Sequence, residues 1–380
     1  MNILAIESSC DETAAAIVKD GREVLSHVVA SQIDIHAAYG GVVPEVAARA
    51  HVQSIIPVVE ESLRLSVIPT DPTLVASGGI PFSWKDIDAI AVTQGPGLVG
   101  SLIVGTETAR TLAILKSKPL IAVNHLEGHI YANWVGENQP HFPLVALLVS
   151  GGHTMLIEVE DHYKFKIVGQ TRDDAAGEAF DKVAALLALP YPGGPNISKL
   201  AEKASSRHSR GGGKPEEKYK FPVVDLTPEP KRNSEGFLEY PEPSLDFSLS
   251  GLKTAVLNVV KENCKGPSLA EITRDGPLQC DIAASFQKTL IDTLAQNSQR
   301  AIEKYQPKSF ILSGGVAANE ELREELEKMC KELGVNFYMP NLSYCTDNAV
   351  MIAAAAYYKQ KEFGFTEPKS LTPNPNLKLI

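Results

Sequence analysis

The chain opens with an apolar run, a polar turn and a second apolar run. Residues 1–6 and 14–18 are largely apolar, and the residues between them are mostly polar. Short apolar runs on both sides of a turn are typical of two buried strands. The pattern returns about 140 residues later, where residues 144–149 and 155–159 flank Ser150-Gly151-Gly152-His153-Thr154. We therefore predict an internal duplication built from strand–turn–strand units.

A third variant of this pattern leads into a helix instead of a strand. The apolar residues 310–312 precede Ser313-Gly314-Gly315-Val316-Ala317-Ala318-Asn319, and a helical pattern follows over residues 320–333. Helical spacing predicts further helices, and one more apolar run predicts a strand. These helices cover residues 46–65, 100–115, 174–189 and 349–359, and the strand covers residues 87–92. The alternation predicts an α/β fold with two lobes that face a cleft.

Residues 205–243 differ from the rest of the chain. This stretch is poor in apolar residues and rich in glycine, proline and charge, which predicts a long loop or insertion. Its basic residues are Arg207, Arg210, Lys214, Lys218, Lys220, Lys231 and Arg232. A solvated loop explains them, and contact with a polyanion is the alternative.

Composition narrows the class of protein. The chain has 380 residues, of which 44% are hydrophobic, 22% charged and 7% aromatic, as in ordinary globular proteins with two or three domains. No apolar run reaches the ~18 residues that span a bilayer. The first residues already form a strand pattern without a targeting leader, and five scattered cysteines suggest a reducing compartment. We therefore expect a cytoplasmic protein.

The net charge of −10 bears on nucleic-acid binding. An acidic chain does not coat a nucleic acid by its overall charge, so any such contact requires a local basic surface.

Two histidines are spaced for joint binding of a cation. In His125-Leu126-Glu127-Gly128-His129 they stand four residues apart, which places both on one face of a helix. The alternative is a pair of partly exposed polar side chains. The zincin pattern H-E-x-x-H is absent, because Glu127 stands in the middle of the motif.

A metal would need a third ligand. Asp347, in Cys345-Thr346-Asp347-Asn348, precedes a helix, so an N-cap role also explains it. If Asp347 meets His125 and His129, the set becomes a two-histidine, one-carboxylate site, which suits Fe(II) and tolerates Zn(II).

Short glycine turns indicate a nucleotide. Ser150-Gly151-Gly152, Ser313-Gly314-Gly315 and Gly193-Gly194 can each bring backbone N–H groups close to a phosphate. The dinucleotide and P-loop patterns are absent, which disfavours dehydrogenases and P-loop enzymes.

Three polar residues near these turns have two interpretations each. Asp181 either lies on a solvated helix face, where Glu178 and Lys182 form an i,i+4 pair, or accepts ribose hydroxyls. Asn319 either starts a helix or contacts a sugar or phosphate. Asp11, like Glu12 beside it, either forms the first turn or lies near the phosphate end of a cleft.

Taken together, these motifs resemble the TsaD family over nearly the whole chain. The matching segments are Ile6-Glu7-Ser8-Ser9-Cys10-Asp11-Glu12-Thr13, Gln94-Gly95-Pro96-Gly97, the His125–His129 motif, Ser150-Gly151-Gly152-His153-Thr154, Asp181, Pro192-Gly193-Gly194-Pro195, Ser250-Gly251-Leu252-Lys253-Thr254 and Cys345-Thr346-Asp347-Asn348. The resemblance implies threonylcarbamoyl transfer to tRNA. The donor is threonylcarbamoyl-adenylate, and the acceptor is N6 of the adenosine that follows the anticodon.

The resemblance also implies a fold and a set of site residues. The fold is the duplicated actin-like, sugar-kinase-like one, with the first lobe at residues 1–130 plus about 347–365 and the second at 131–346. His125, His129 and Asp347 would hold one divalent ion, with iron expected and zinc the alternative. The residues implied at the adenylate are Leu148, Val149, Ser150, Gly151, Gly152, Asp181, Gly194 and Asn319. Asp11 would act as a base or orient the phosphate.

The same resemblance implies partner molecules, and the chain departs from the family pattern at two places. It implies tRNA, a TsaB-like paralogue that can dimerise with the first lobe, and a TsaE-like ATPase. The helix predicted at residues 46–65 is a candidate dimer helix, for the paralogue or for a second copy. The alternative is that its apolar stripe belongs to the core of the lobe. The 205–243 stretch is longer than the usual family connection, and Ser198 stands where some members carry an acid.

Three rival functions remain open on the sequence. A metallopeptidase would use the paired histidines, although the register of Glu127 and the nucleotide-type glycine turns count against it. A sugar or acetate kinase would share the fold class and turn over ATP. A non-catalytic paralogue would have lost His125, His129 or Asp347.

Overall fold

The structure is a computed structural model that describes residues 1–68, 80–208, 218–232, 238–239, 241–263 and 276–379. The chain forms two compact units. The first contains residues 1–141, 160–165 and 338–380, and the second contains residues 142–159 and 166–337. Residues 131–141, 160–165 and 338–346, which the sequence analysis assigned to the second lobe, group with the first unit in this division.

The elements alternate between strands and helices. The strands are β1 Asn2–Glu7, β2 Glu12–Lys19, β3 Glu23–Ser31, β4 Val67–Ile68, β5 Ile80–Pro81, β6 Ala89–Gly95, β7 Leu120–Asn124, β8 Leu144–Val149, β9 Thr154–Val159, β10 Phe165–Gln170, β11 Lys231–Arg232, β12 Leu238–Glu239, β13 Ser309–Ser313 and β14 Asn336–Tyr338. The helices are α1 Ile33–Ala37, α2 Pro44–Leu65, α3 Val99–Leu115, α4 His125–Tyr131, α5 Ala176–Leu186, α6 Gly193–His208, α7 Ser250–Asn263, α8 Pro277–Tyr305, α9 Glu320–Leu333 and α10 Ala349–Phe363.

The first unit is built on a five-stranded sheet in the order β3-β2-β1-β6-β7. β1 pairs antiparallel with β2 and parallel with β6, which in turn pairs parallel with β7. Residues Ile3 to Ile6 of β1 are fully buried, as expected for a strand covered on both faces. Helices α2 and α3 contribute to the core beside Leu4 and Ile6, and α10 packs against β1, β2 and β7.

The second unit repeats this architecture. Its sheet has the order β10-β9-β8-β13-β14, with β8 antiparallel to β9 and parallel to β13. Each strand occupies the position of its counterpart in the first sheet, so the predicted duplication is confirmed.

In both units the polar turns follow the carboxyl ends of parallel strands. Ligands in open α/β sheets bind at this edge. The fold therefore places the candidate residues where such sheets offer a site.

The 205–243 prediction is partly wrong, because α6 extends through His208 and so includes the first residues of this stretch. The apolar spacing of α6, with Ile197, Leu200, Ala201 and Ala204 buried, carries the helix almost up to the glycines at residues 211–213. Arg210 and Lys214 lie outside the described residues, and in the described remainder the regular structure is the short β11–β12 pair.

None of the helices in the described ranges combines the length and the hydrophobicity that crossing a membrane requires. Cys10, Cys280, Cys330 and Cys345 form no disulfide with one another, and Cys264 lies outside the described residues.

Candidate functional site

The two histidines lie on α4, a short helix that starts directly after β7. Asn124 caps this helix, because its side chain accepts a hydrogen bond from the Leu126 N–H and the Glu127 side chain accepts from the Asn124 N–H. This capping box fixes the first turn at the end of a buried strand. His125 and His129 are both buried, so the interpretation as partly exposed side chains is wrong.

Asp347 lies against the histidine pair. Its Oδ1 is 3.4 Å from His125 Nε2 and 3.3 Å from His129 Nε2, and the two Nε2 atoms are 3.1 Å apart. The N-cap interpretation of Asp347 is wrong, because the side chain of Asn348 caps α10. Asp347 is therefore available to the histidines.

These three atoms fit a metal ion. Ligands about 2.1 Å from an ion are about 3.0 Å apart at a right angle and about 3.4 Å apart at the tetrahedral angle. All three observed separations fall in that range. The group is also the one cluster of metal-ligating side chains found among the described residues. The histidine and carboxylate donors suit a divalent first-row ion with open positions.

The buried carboxylate of Glu7 supports His125 from behind. Glu7 Oε2 lies 3.3 Å from His125 Nδ1 and accepts a hydrogen bond of 2.6 Å from the Thr93 hydroxyl. Ser9 adds a contact of 3.1 Å between its Oγ and His125 Nδ1. A proton on Nδ1 leaves the lone pair of Nε2 directed at Asp347, which is the tautomer that binds a metal.

Electrostatics agree with a site for a cation. Burial disfavours the charged imidazole of His125, but Asp347 and Glu7 outweigh it and raise the pKa of His125 to about 10. Burial would raise the pKa of the Asp347 carboxyl, yet the two histidines hold it well below its ordinary value. The pocket therefore keeps its carboxylates ionised and attracts positive charge.

We expect Glu7→Gln to weaken metal binding about 10- to 100-fold, because the variant loses the charge that orients and polarises His125. Titration of the purified chain with Co²⁺ against a chelating dye measures the change. Glu60→Gln, an exposed substitution on α2, is the matched control. Equal affinities for Glu7→Gln and the parent chain would show that this carboxylate does not support the site.

Glu127 does not face the histidine–carboxylate triangle. Its Oε2 accepts hydrogen bonds from the Asn124 N–H at 3.4 Å and from Lys359 Nζ at 3.0 Å, and the side chain is 8% exposed. A peptidase of the zincin type needs this carboxylate beside the metal-bound water. The geometry therefore disfavours the peptidase alternative.

Asp11 and Glu12 lie where the β1–β2 turn enters β2. Burial raises the pKa of both carboxyl groups, to about 7 for Glu12, and the Asp347 carboxylate adds to the effect in each case. Glu12 Oε1 accepts a hydrogen bond of 2.8 Å from Ser31, while Glu12 Oε2 is buried and has no partner among the described residues. The sequence pointed to both acids at this turn, and Asp11 alone was selected as a site residue.

The raised pKa of Glu12 predicts how its removal changes stability with pH. Between the ordinary value of 4.5 and about 7, the folded chain binds a proton that the unfolded chain has lost, so the free energy of unfolding falls as pH rises. We expect Glu12→Gln to be more stable than the parent at pH 8 by about 1–3 kcal/mol, and to show no such gain near pH 4. Urea unfolding at both pH values, with Glu60→Gln as control, measures this; an equal difference at both would contradict it.

The second unit brings two glycine turns together. β8 and β13 run parallel with Leu148 opposite Ser313, so the turns that follow them are neighbours. Gly314 has a φ of +92°, and a Cβ there would lie 2.3 Å from the Val149 carbonyl oxygen. Only glycine allows this approach. Gly151 and Gly152 have open space at their Cα atoms, which leaves their backbone accessible.

Asp181 and Asn319 hold the turns of the second unit. Asp181 Oδ1 accepts a hydrogen bond of 2.7 Å from the Gly193 N–H, so it is bonded to the third glycine turn rather than simply solvated. The Glu178–Lys182 pair predicted beside it is present at 2.8 Å.

Asn319 caps α9, as its helix-start interpretation predicts. Its Nδ2 also donates to Ser198 Oγ at 3.0 Å and to Gln287 Oε1 at 2.9 Å. The amide of Asn319 is thus fixed in one orientation.

The residues selected from the sequence fall into one set in each unit. Asp11, His125, His129 and Asp347 belong to the first unit. The eight residues implied at the adenylate belong to the second: Leu148, Val149, Ser150, Gly151, Gly152, Asp181, Gly194 and Asn319. Leu148 and Val149 have fully buried side chains, so they offer a ligand only their backbone.

Sequence reasoning missed Glu7, Ser9 and Thr93. Polar residues at the carboxyl ends of predicted strands were the available signal.

Comparison with known proteins gives a consistent result. Residues 23–354 match the family model for TsaD, described as tRNA N6-adenosine threonylcarbamoyltransferase. A protein of that name from Caldicellulosiruptor saccharolyticus is 47% identical over 380 residues, covering 100% of this chain and 99% of that protein. One from Clostridium perfringens is 46% identical over 377 residues, covering 99% of this chain and 98% of that protein.

Solved structures show the fold alone. Full-length HypF, in its phosphate- and nucleotide-bound form, has a TM-score of 0.50 at 13% identity, covering 96% of this chain and 47% of that chain. HypF from T. kodakarensis has a TM-score of 0.50 at 14% identity, and the match covers 95% of this chain and 48% of that chain. With the duplicated sheet order, they confirm the predicted actin-like, sugar-kinase-like α/β fold.

Proposed function

The chain belongs to the TsaD family of tRNA N6-adenosine threonylcarbamoyltransferases, and on that basis we propose the reaction and the residues that carry it out. The enzyme transfers the threonylcarbamoyl group from threonylcarbamoyl-adenylate to N6 of the adenosine that follows the anticodon, in tRNAs that read codons beginning with A. The products are N6-threonylcarbamoyladenosine and AMP. Its location is the cytoplasm, where tRNA is modified.

The triangle of His125, His129 and Asp347 is the observation that supports this proposal most strongly. These residues hold one divalent ion, with Fe(II) the expected ion and Zn(II) the alternative. A bound ion would supply Lewis-acid polarisation of a carbonyl oxygen on the donor. Glu7 keeps the Nε2 lone pair of His125 directed at the ligand position.

Other residues of the chain must stabilise the leaving group and accept a proton. The N6 nitrogen attacks the carbamoyl carbon, the bond from that carbon to the phosphate oxygen breaks, and AMP leaves with the electron pair. Backbone N–H groups of Gly151, Gly152 and Gly315 stabilise the phosphate as it leaves. Asp11 or Glu12, whose carboxyl pKa values are raised, accepts the proton that N6 loses.

A reconstitution assay tests this reaction. The purified chain, loaded with Fe(II) and supplied with partner proteins, is incubated with threonylcarbamoyl-adenylate and unmodified tRNA, and the nucleosides are analysed. Parallel reactions contain casein, or ATP with sugars and acetate. We expect modified adenosine only in the tRNA reaction. Peptide cleavage or phosphoryl transfer in place of modified adenosine would refute the proposal and favour the peptidase or the kinase.

An apolar face on the first unit supports the proposed partner. α2 and α3 approach closely, since a Cβ at Gly100 would lie 3.0 Å from Ala48 Cβ. On the solvent side of this pair, Val52, Ile56, Val99 and Ile103 are between 45% and 64% exposed. Contiguous exposed apolar side chains on two packed helices suit docking of a second helix pair. A TsaB-like paralogue, which shares the fold, is the proposed occupant; the TsaE-like ATPase would then act on the complex.

We expect Val52→Glu with Ile103→Glu to leave the chain folded and to abolish binding of the paralogue, because charges would be buried at the core of the interface. Size-exclusion chromatography with light scattering, with and without the paralogue, measures this. Val223→Glu, an exposed apolar position in the second unit, is the control. A homodimer that the double variant disrupts would identify a second copy as the occupant instead.

A further inference from the structure

Residues 371–379, the last ones that the structure describes, run along the strand ends that carry the candidate metal site, and we call them the C-terminal segment. Gln94, near the end of β6, holds it by two hydrogen bonds. The Asn374 N–H donates to the Gln94 carbonyl oxygen at 2.8 Å, and Gln94 Nε2 donates to the Thr372 carbonyl oxygen at 2.9 Å. Leu371 and Leu379, at the two ends of the segment, are buried. The segment is therefore anchored along its whole length.

One connection from this segment reaches the helix that carries both histidines. Asn124 Nδ2 donates to the Lys378 carbonyl oxygen at 2.9 Å, while Asn124 Oδ1 accepts from the Leu126 N–H at 2.9 Å. A single side chain thus caps α4 and bonds to the C-terminal segment. Because His125 is the next residue, any shift of Asn124 moves the first metal-ligating side chain.

A second connection reaches the same histidine from the other side. The Gly97 N–H donates to the Pro375 carbonyl oxygen at 3.2 Å, and the Leu98 N–H donates to the Ser9 carbonyl oxygen at 2.7 Å. Ser9 Oγ in turn lies 3.1 Å from His125 Nδ1. The segment, the turn after β6 and the Ser9 turn form successive layers that end at the imidazole.

The layers are packed too closely to move independently. A Cβ at Gly95 would lie 1.8 Å from the Asn374 carbonyl oxygen, and a Cβ at Gly97 would lie 2.5 Å from the Ser9 carbonyl oxygen. In both places the neighbouring atom is a backbone oxygen, so no flexible side chain lies between the layers to absorb a movement. A displacement of the segment is therefore transmitted to Ser9.

From these contacts we infer that the C-terminal segment is a positioning element of the metal centre, which orients His125 through Asn124 and through Ser9. The inference rests on the metal site of the proposed function. If the segment only closed the core, its removal would lower the melting temperature without changing how the ion is held. If the segment positions the metal centre, its removal also changes the metal affinity and the coordination geometry of the bound ion.

Cobalt(II) titration distinguishes these roles. Two variants are compared with the full chain: one that ends at Pro373, and Asn124→Ser, which keeps an N-cap acceptor but loses the donor to Lys378. We expect Co²⁺ affinity to fall about 10- to 100-fold in the truncated chain and about 10-fold in Asn124→Ser. The visible absorption bands of bound Co²⁺ should shift in both. Measurements are made well below each melting temperature.

The controls separate the inference from the proposed function. Lys378→Ala keeps the carbonyl oxygen that Asn124 uses, so its Co²⁺ affinity and spectrum should match those of the parent. A peptide of the removed residues, 374–380, added to the truncated chain, should restore the parent spectrum. If the full chain binds no Co²⁺, the proposed metal site fails. If the full chain binds Co²⁺ and Asn124→Ser binds it with the same affinity and spectrum, the positioning role is refuted, whether or not the truncated chain folds.

Discussion

Asp347→Ala is expected to abolish stoichiometric metal binding and to lower the transfer rate at least about 100-fold. In the proposed site Asp347 would supply one of three ligand atoms, and its carboxylate oxygen lies 3.3 and 3.4 Å from the two Nε2 atoms. A Lewis acid contributes several kcal/mol to such a reaction, and each 1.4 kcal/mol is about a factor of ten in rate. Metal content by elemental analysis and nucleoside analysis of tRNA measure the two effects.

Two controls accompany Asp347→Ala. Asp34→Ala removes an exposed carboxylate on α1 of the same unit and should leave both readings unchanged. Treatment of the parent chain with a chelator should reproduce the loss of transfer, and Fe(II) should restore it in the parent but not in Asp347→Ala. Full metal content in Asp347→Ala would remove this residue from the site.

Lys359→Met is expected to destabilise the fold by about 2–4 kcal/mol, because it leaves the Glu127 carboxylate buried without its cation. Glu127 is 8% exposed and Lys359 is 24% exposed, and the pair joins α4 to α10, the helix that begins two residues after Asp347. Burial already raises the pKa of Glu127, and Lys359 opposes that rise. The destabilisation should therefore grow as pH rises above the ordinary pKa of glutamate.

A double-mutant cycle isolates this ion pair. Glu127→Gln combined with Lys359→Met should recover most of the stability, because no buried charge then lacks a partner. Urea unfolding of the single and double variants measures the coupling. Lys369→Met, an exposed position, should change stability by no more than about 0.5 kcal/mol. Additive effects of the two substitutions would show that the pair does not couple the helices.

The regular elements of the fold were predictable where apolar residues form a continuous run or recur at helical spacing. The apolar run at residues 144–149 became β8 with those bounds, and the helical spacing at 320–333 became α9. The long helix α8 was not predicted, because buried polar residues interrupt its apolar pattern. Gln279 bonds to the Leu187 carbonyl oxygen and Asp281 to Lys218. Tertiary partners of this kind are invisible to a pattern along the chain.

The candidate site was predictable to the same extent. The spacing of His125 and His129 indicated a shared face, since four residues make about one helical turn. Residue patterns alone could not join Asp347 to them, because nothing local distinguishes a ligand from an N-cap. Glu7 was missed because a glutamate after a strand also suits a turn, and only the fold places it behind His125.

The first unit is discontinuous in the chain, which has a consequence for its synthesis. Apart from residues 160–165, the chain leaves this unit after residue 141 and returns at residue 338. At about 5–20 residues per second, the roughly 200 residues between them occupy a ribosome for about 10–40 s. During that interval β1 lacks α10, which packs against it in the finished fold. A nascent chain in this state exposes an apolar strand and suits capture by chaperones, and it gains Asp347, the third residue of the candidate metal site, only after the second unit has been synthesised.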